Sequence, residues 1–211
     1  MADYIGTSPE FAAVLYKPGD IIGYFAAVIS LIPPVYLVTQ MAIFLCRREA
    51  QDLWNVIGLF ICEGSNRIVK DIIAQPRPSG PVINLDMDSY GMPSAHSQFM
   101  GYVVGYVLLQ ALNSPNTPLE EKGGHVLGVT VMAVLVGFSR WYLWYHTIDQ
   151  VLIGGAAGFI LGLLWFGLSE PLRQRGVVNW LLTLRPCVLL KVKDTKYDVT
   201  AEYQEWLKKK N

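Results

Sequence analysis

Five mainly apolar stretches, each 16 to 26 residues long, follow one another along the chain at 21–46, 53–73, 97–112, 126–144 and 148–168. An α-helix rises 1.5 Å per residue, so about 20 such residues cross a hydrocarbon layer of ~30 Å. Lipid offers no partner to an open backbone group, and a helix satisfies its own, so the expected fold is all-α: a polytopic membrane bundle of about five transmembrane helices. Composition agrees, since 52% of the 211 residues are apolar and only 16% are charged, against about 25% charged in soluble chains. Seventeen basic and seventeen acidic residues cancel, which removes any global attraction to nucleic acid. Cys46, Cys62 and Cys187 have neither the number for a disulfide framework nor the spacing of a zinc site.

The stretches differ in ways that matter. The first carries Pro33-Pro34 near its middle, where a kink is expected. It lacks a basic leader and a small-residue cleavage site, so it reads as a retained helix. The second carries Glu63, Asn66, Arg67 and Lys70. A charge at mid-membrane costs on the order of 2.5–3.5 kcal/mol, so Glu63 is expected to face the bundle and be paired, through Arg67 or by way of Asn66 toward Lys70. Gly154, Gly155 and Gly158 give the fifth stretch a small-residue face for packing, and room for a lipid chain to approach sideways. The expected organisation is an N-terminal segment 1–20, a transmembrane domain 21–168 and a tail 169–211 whose interrupted apolar run reads as an interfacial helix. With the Arg47-Arg48 loop in the cytoplasm, twelve of the seventeen Lys and Arg lie on the cytoplasmic side together with the tail. The segment 73–96 and the turn 140–149 then share the opposite face.

Those two connections hold the polar residues that are out of place in an anchor. Lys70 is followed after six residues by Arg77-Pro78, Pro93-Ser94-Ala95-His96 opens the third stretch, and Ser139-Arg140 is followed after five residues by His146. A lone lysine or arginine here would be a snorkelling anchor, and a lone histidine a core or interfacial one. Three cations, two histidines and two serines carried to one face by separate helix ends are not explained that way.

The three clusters resemble the signature of the type 2 phosphatidic acid phosphatase superfamily, KxxxxxxRP, PSGH and SRxxxxxHxxxD. Longer strings, from Asn66 and Lys70 to Pro78, from Tyr90 to Met100 and from Phe138 to Thr147, resemble its dolichyldiphosphatase branch. Ala95 stands where that signature has glycine, and Gln150 where it has aspartate. The chemistry is also readable directly. Phosphoryl transfer spreads negative charge over three oxygens, so it needs fixed positive charge and donors. Lys70, Arg77 and Arg140 supply charge, while the Ser94 hydroxyl and the Ala95 N–H at a helix start supply donors. Two histidines suit a two-step displacement. The resemblance assigns His146 as nucleophile, forming a phosphohistidine, and His96 as general acid, with no metal or other cofactor. Asp86 and Asp88, the one close carboxylate pair nearby, read as solvated. The group orienting His146 stays open between Asp149 and Gln150, three and four residues on. Glu63, Asn66 and Ser139 are candidates for supporting roles around the site.

The resemblance further implies a substrate, dolichyl diphosphate or another polyprenyl diphosphate, hydrolysed to the lipid monophosphate on the luminal face of the endoplasmic reticulum during recycling of the N-glycosylation carrier. The final Lys208-Lys209-Lys210-Asn211 resembles a dilysine retrieval signal, which works in the cytoplasm. Rival readings are a broad lipid phosphate phosphatase, haloperoxidase chemistry in a related pocket, and a silent binder of lipid phosphate.

Overall fold

The structure, a computed structural model, describes residues 5–6, 14–79, 90–114 and 118–195. Asp86, Asp88 and the C-terminal lysine cluster lie outside the described residues. Eight helices occur among those described: α1 (Ile21–Ile29), α2 (Ile32–Arg47), α3 (Ala50–Ile73), α4 (Ala95–Leu112), α5 (Leu119–Tyr142), α6 (Ile148–Gln174), α7 (Val177–Leu182) and α8 (Arg185–Leu189). Two short strands, β1 (Ile5–Gly6) and β2 (Leu15–Tyr16), pair antiparallel before them. Three segments are long and apolar enough to cross a membrane: Ile21–Arg47, Leu119–Tyr142 and Ile148–Gln174. The outer surface suits lipid, with Val35, Val38, Ile68, Leu127, Val134, Leu152 and Leu164 all largely exposed.

The first stretch is broken rather than kinked. Helix α1 stops at Ile29 and α2 restarts at Ile32, with Pro33 in its first turn. A proline lacks its N–H and its ring crowds the carbonyl four residues back, so the interruption falls upstream of the Pro33-Pro34 pair. Helix α5 starts at Leu119, earlier than the apolar pattern, because Glu120 and Glu121 favour a helix N-terminus. Helix α6 runs past 168 to Gln174. The tail forms the two short helices α7 and α8. Beyond them it is pinned back across the start of α3: the Lys193 carbonyl accepts from Ala50 N at 2.8 Å, and Lys193 N donates to the Arg48 carbonyl at 2.8 Å. Arg173 adds an ion pair to Asp194 at 2.7 Å.

Helix α4 is the axis of the bundle. Its Met100, Tyr102, Val103 and Tyr106 are almost fully buried, and its most extensive contact is with α6. Glycines make that contact a backbone-to-backbone one. A methyl group at Gly101 would collide with the Gly155 carbonyl, one at Gly158 with the Gln98 carbonyl, and one at Gly162 with the Tyr102 carbonyl. The small-residue face of α6 is therefore closed by α4, and the sideways lipid approach expected along it does not exist. Close approach of this kind is how helices gain dispersion contact where lipid removes the hydrophobic incentive to associate.

Helix α3 also differs from expectation. Its inward face is filled by Cys62, Asn66 and Lys70, all buried. Glu63, one residue round from Cys62, points outward and pairs with Arg67 at 3.5 Å, with the two side chains 43% and 77% exposed. Glu63 does not face the bundle.

Replacing Gly158 by leucine drives a side chain into a carbonyl that cannot yield. We expect a cost of about 3 kcal/mol or more, lowering Tm in detergent by about 6–12 °C. Gly167→Ala on the open face of the same helix, where an added methyl meets nothing within 4 Å, should leave Tm unchanged or slightly raised. Tryptophan fluorescence during heating reads both.

Candidate active site

Three helix ends meet at one end of the bundle: the C-terminus of α3 with the segment after it, the N-terminus of α4, and the α5–α6 turn. His146 lies at their centre, buried. Its Nδ1 is 2.8 Å from the Gly91 carbonyl and 3.2 Å from Gln150 Oε1. Both are acceptors, so Nδ1 carries the proton and Nε2 keeps its lone pair. Arg77 Nη1 stands 3.4 Å from Nε2 and donates also to the Tyr145 carbonyl at 3.1 Å. The result is a neutral imidazole, held by one nitrogen, that presents the other to a cluster of cations. Burial first, and then Arg140 and Arg77, hold its pKa far below the ordinary histidine value, at about 2, against a smaller opposing effect of the Gln150 bond. Burial also pulls Arg77 down, though a guanidinium stays charged at any physiological pH.

Gln150 is fully buried, and its side-chain oxygen, its side-chain nitrogen and its backbone carbonyl are all used. Its Oε1 meets the histidine ring and also accepts Thr147 N at 3.2 Å, closing a reciprocal cap with Thr147 at the start of α6. Its Nε2 donates to the Pro76 carbonyl at 2.9 Å, and its own carbonyl accepts Ser94 N at 3.1 Å. Gly91 is closed around this side chain, since a Cβ there would lie 2.6 Å from Gln150 Nε2. Asp149 is exposed on the outer side of the same turn. Of the two residues left open by the sequence, the one on the ring nitrogen is Gln150.

Arg140 is 5% exposed and rests over the Tyr145 ring, its guanidinium carbon 3.9 Å from the ring centroid. Its Nη1 donates to Ser30 Oγ at 3.4 Å, and its Nε has no hydrogen-bond partner among the described residues. A buried guanidinium with an unused donor is an anion site in its charge and its geometry. Ser139 is buried one residue away, bonded to Ser30 Oγ at 3.0 Å and to the Val136 carbonyl at 2.7 Å, so it fixes the serine that Arg140 touches. Lys70 is buried at the end of α3 and feels the charges of both Arg77 and Arg140. Ser94 is the N-cap of α4, fully buried, and accepts from Ser97 Oγ at 3.1 Å. Ala95 follows as the first helical residue, and the half-buried His96 is within electrostatic reach of Arg140, His146, Lys70 and Arg77.

The structure therefore gathers Lys70, Arg77, Ser94, Ala95, His96, Arg140, His146 and Gln150. Asn66 stands behind them, its amide donating to the Pro93 carbonyl at 3.2 Å and to Gln98 Oε1 at 2.8 Å, so it holds the start of α4 rather than Lys70. Glu63 and Asp149 stay outside the cluster. Sequence reading missed Ser30, Gly91 and Tyr145. Ser30 sits inside an apolar run, and Gly91 and Tyr145 act here partly through backbone carbonyls, which no residue type advertises.

The family model described as the PAP2 superfamily matches residues 52–173 of this chain. The chain belongs to that superfamily. The dolichyldiphosphatase of Saccharomyces cerevisiae is 36% identical over 82% of this chain and 74% of its own length. Dolichyldiphosphatase 1 of Homo sapiens is 37% identical over 72% of this chain and 67% of its own. The crystal structure of a transmembrane PAP2-type phosphatidylglycerolphosphate phosphatase from Bacillus subtilis superposes with a TM-score of 0.61, at 23% identity, covering 77% of this chain and 82% of that one. This PAP2 member is thus a multi-pass membrane protein of the dolichyldiphosphatase kind and a hydrolase of the phosphatase class.

Two outcomes are expected at this site. Gln150→Ala should lower phosphatase activity by about 10–100-fold, the usual loss when a partner that orients a functional histidine is removed, while Asp149→Asn stays within about twofold. Because the His146 pKa is depressed, its ring stays neutral as pH falls from about 8 to about 5, a range in which an ordinary histidine gains its proton. Nitrogen-15 chemical shifts of His146 in detergent micelles should show one unchanging neutral tautomer over that range.

Proposed function

We propose that this chain hydrolyses dolichyl diphosphate to dolichyl phosphate and inorganic phosphate through a phosphohistidine on His146. The observation that carries the reading is the His146 ring, pinned through Nδ1 to the Gly91 carbonyl, with its unprotonated Nε2 facing Arg77 Nη1 at 3.4 Å. The dolichyldiphosphatase relatives point to the substrate.

The terminal phosphate lies among Arg77, Arg140 and Lys70, with the Ser94 hydroxyl and the Ala95 N–H completing its shell. Nε2 forms a bond to phosphorus as the bridging P–O bond breaks, and the electron pair leaves with dolichyl phosphate. His96 donates a proton to that oxygen. Water then attacks the phosphohistidine, with His96 taking its proton, and inorganic phosphate is released. Charge on the transferring group is neutralised by side chains, so the mechanism calls for no metal ion. An incoming anion also offsets the Arg140 and Arg77 fields that add to the effect of burial on His146, which returns part of the ring's basicity as the substrate binds. Gln150 orients the ring. The distribution of basic residues supports an active site on the lumen of the endoplasmic reticulum with the tail in the cytoplasm, serving the recycling of the carrier for N-glycosylation.

The test is phosphate release by the detergent-purified protein, with EDTA present, from a polyprenyl diphosphate, the matching monophosphate and phosphatidate. We expect release selective for the diphosphate, absent in His146→Ala, together with an acid-labile phosphoenzyme absent from the same variant. Equal rates on phosphatidate would make the chain a general lipid phosphatase, and labelling retained in His146→Ala would move the nucleophile elsewhere. His96→Ala should harm monophosphate hydrolysis more than diphosphate hydrolysis, since a phosphate leaving group needs its proton less than an alkoxide does.

A further inference from the structure

A cavity of about 600 Å³ opens beside His146, between the β2 segment and the α5–α6 turn. Its walls are mostly apolar and aromatic, with Leu15, Trp141, Trp144 and Ile148 among them, and Lys17 also lines it. Trp141, Trp144 and Ile148 are each about half exposed on the outer surface, so the cavity runs from the nucleophile to the surface that lipid would cover. We propose that this cavity holds the first isoprene units of the substrate and that Lys17 binds the inner phosphate, the one bonded to the lipid. This rests on the diphosphate reading above and adds to it the element that tells a diphosphate from a monophosphate.

The α4–α6 face is sealed by its glycines, so the lipid cannot enter there. The opening at Trp141 and Trp144 leads from the surface to His146. Rings of this type sit at the membrane boundary, with an apolar body toward the lipid and a polar edge toward water. A prenyl chain entering past them brings its diphosphate in with the terminal phosphate toward His146 and the inner phosphate behind it, in the cavity.

The position of Lys17 is built. Val14 is buried against Leu143 and Tyr145, and Leu15 N donates to Tyr145 Oη at 3.1 Å, which ties this segment to the residue preceding His146. Lys17 then opens a Pro18-Gly19 turn closed by Asp20 N donating to the Lys17 carbonyl at 3.1 Å, with Gly19 at φ +83°. That positive φ suits glycine and fixes the turn. The other charged group on the cavity, Asp20, is already engaged: its carboxylate accepts Gly23 N at 2.9 Å and Tyr142 Oη at 3.1 Å. Lys17 is exposed, lines the cavity and makes no ion pair among the described residues. The cations around His146 are enough for one phosphoryl group. A second phosphate, which becomes the leaving group and keeps its negative charge, calls for another cation on the lipid side of the first, and Lys17 is the lysine that lines the cavity on that side of His146.

The experiment uses the full chain in detergent micelles with a short-chain polyprenyl diphosphate, comparing wild type, Lys17→Met and Lys17→Arg, with the matching monophosphate and inorganic phosphate as probes. Lys17→Met should lower kcat/KM for the diphosphate about tenfold, the scale of one lost charge-assisted contact, and Lys17→Arg should restore most of it. The inhibition constant of inorganic phosphate, which needs only the His146 cage, should stay within about twofold in both variants and shows that the site is intact. Unchanged diphosphate kinetics in Lys17→Met, or an equal loss of inorganic phosphate binding, would overturn the assignment. If the wild type already fails to prefer diphosphate over monophosphate, the proposed substrate falls and this inference falls with it. A wild-type preference kept intact by Lys17→Met defeats the inference alone.

Discussion

The contact between α4 and α6 is the constraint on which the site depends. One helix starts with Ser94 and His96, and the other starts just after His146 with Gln150 in its first turn. Because glycines let the two backbones touch, their N-terminal ends come together closely enough for Ser94 N to bond the Gln150 carbonyl. Larger residues at Gly101 or Gly158 would part the helices and carry the two histidines away from each other. The geometry of this end of the bundle is therefore set by the α4–α6 contact deeper in the bundle, below the clustered polar residues.

Concentrating cations at a helix junction in low dielectric is unfavourable unless something offsets it. Among the described residues, Tyr145 offers Arg140 a ring face, Ser30 offers it one acceptor, and the Tyr145 carbonyl accepts from Arg77. Nε of Arg140 has no hydrogen-bond partner among the described residues. Cations held in place by fixed partners are the kind of electrostatic preorganisation that avoids reorganisation when an anion binds. Burial, and with it the field of these cations, keeps His146 neutral.

Much of this was legible in the sequence. Five apolar stretches announced the bundle, and three motif clusters at helix ends announced the residues that meet, because helical periodicity and residue chemistry are local properties. The exceptions have physical reasons. Pro33, in the first turn of α2, broke the first stretch into two helices where a kink was expected. Glu63 turned outward because Cys62, Asn66 and Lys70 already occupied the inward stripe of α3, and a partner four residues on was within reach. The choice of Gln150 over Asp149 depended on which side of the first turn of α6 faces the ring, which packing against Pro76 and Gly91 decides. Ser30 and the Gly91 carbonyl were invisible because their contribution lies in where the backbone brings them.

At the end of the bundle away from His146, the first N–H groups of α3 illustrate a different dependence. Ala50 finds its partner in Lys193, and Lys193 in turn bonds Arg48, while Arg173 and Asp194 clamp the same corner. During synthesis, α3 is made long before residue 193 exists, so its opening turn must use another partner such as water until the tail is made. The closing of this corner is thus a late event in assembly, and the last described stretch of the chain acts as the latch that completes a helix begun more than a hundred residues earlier.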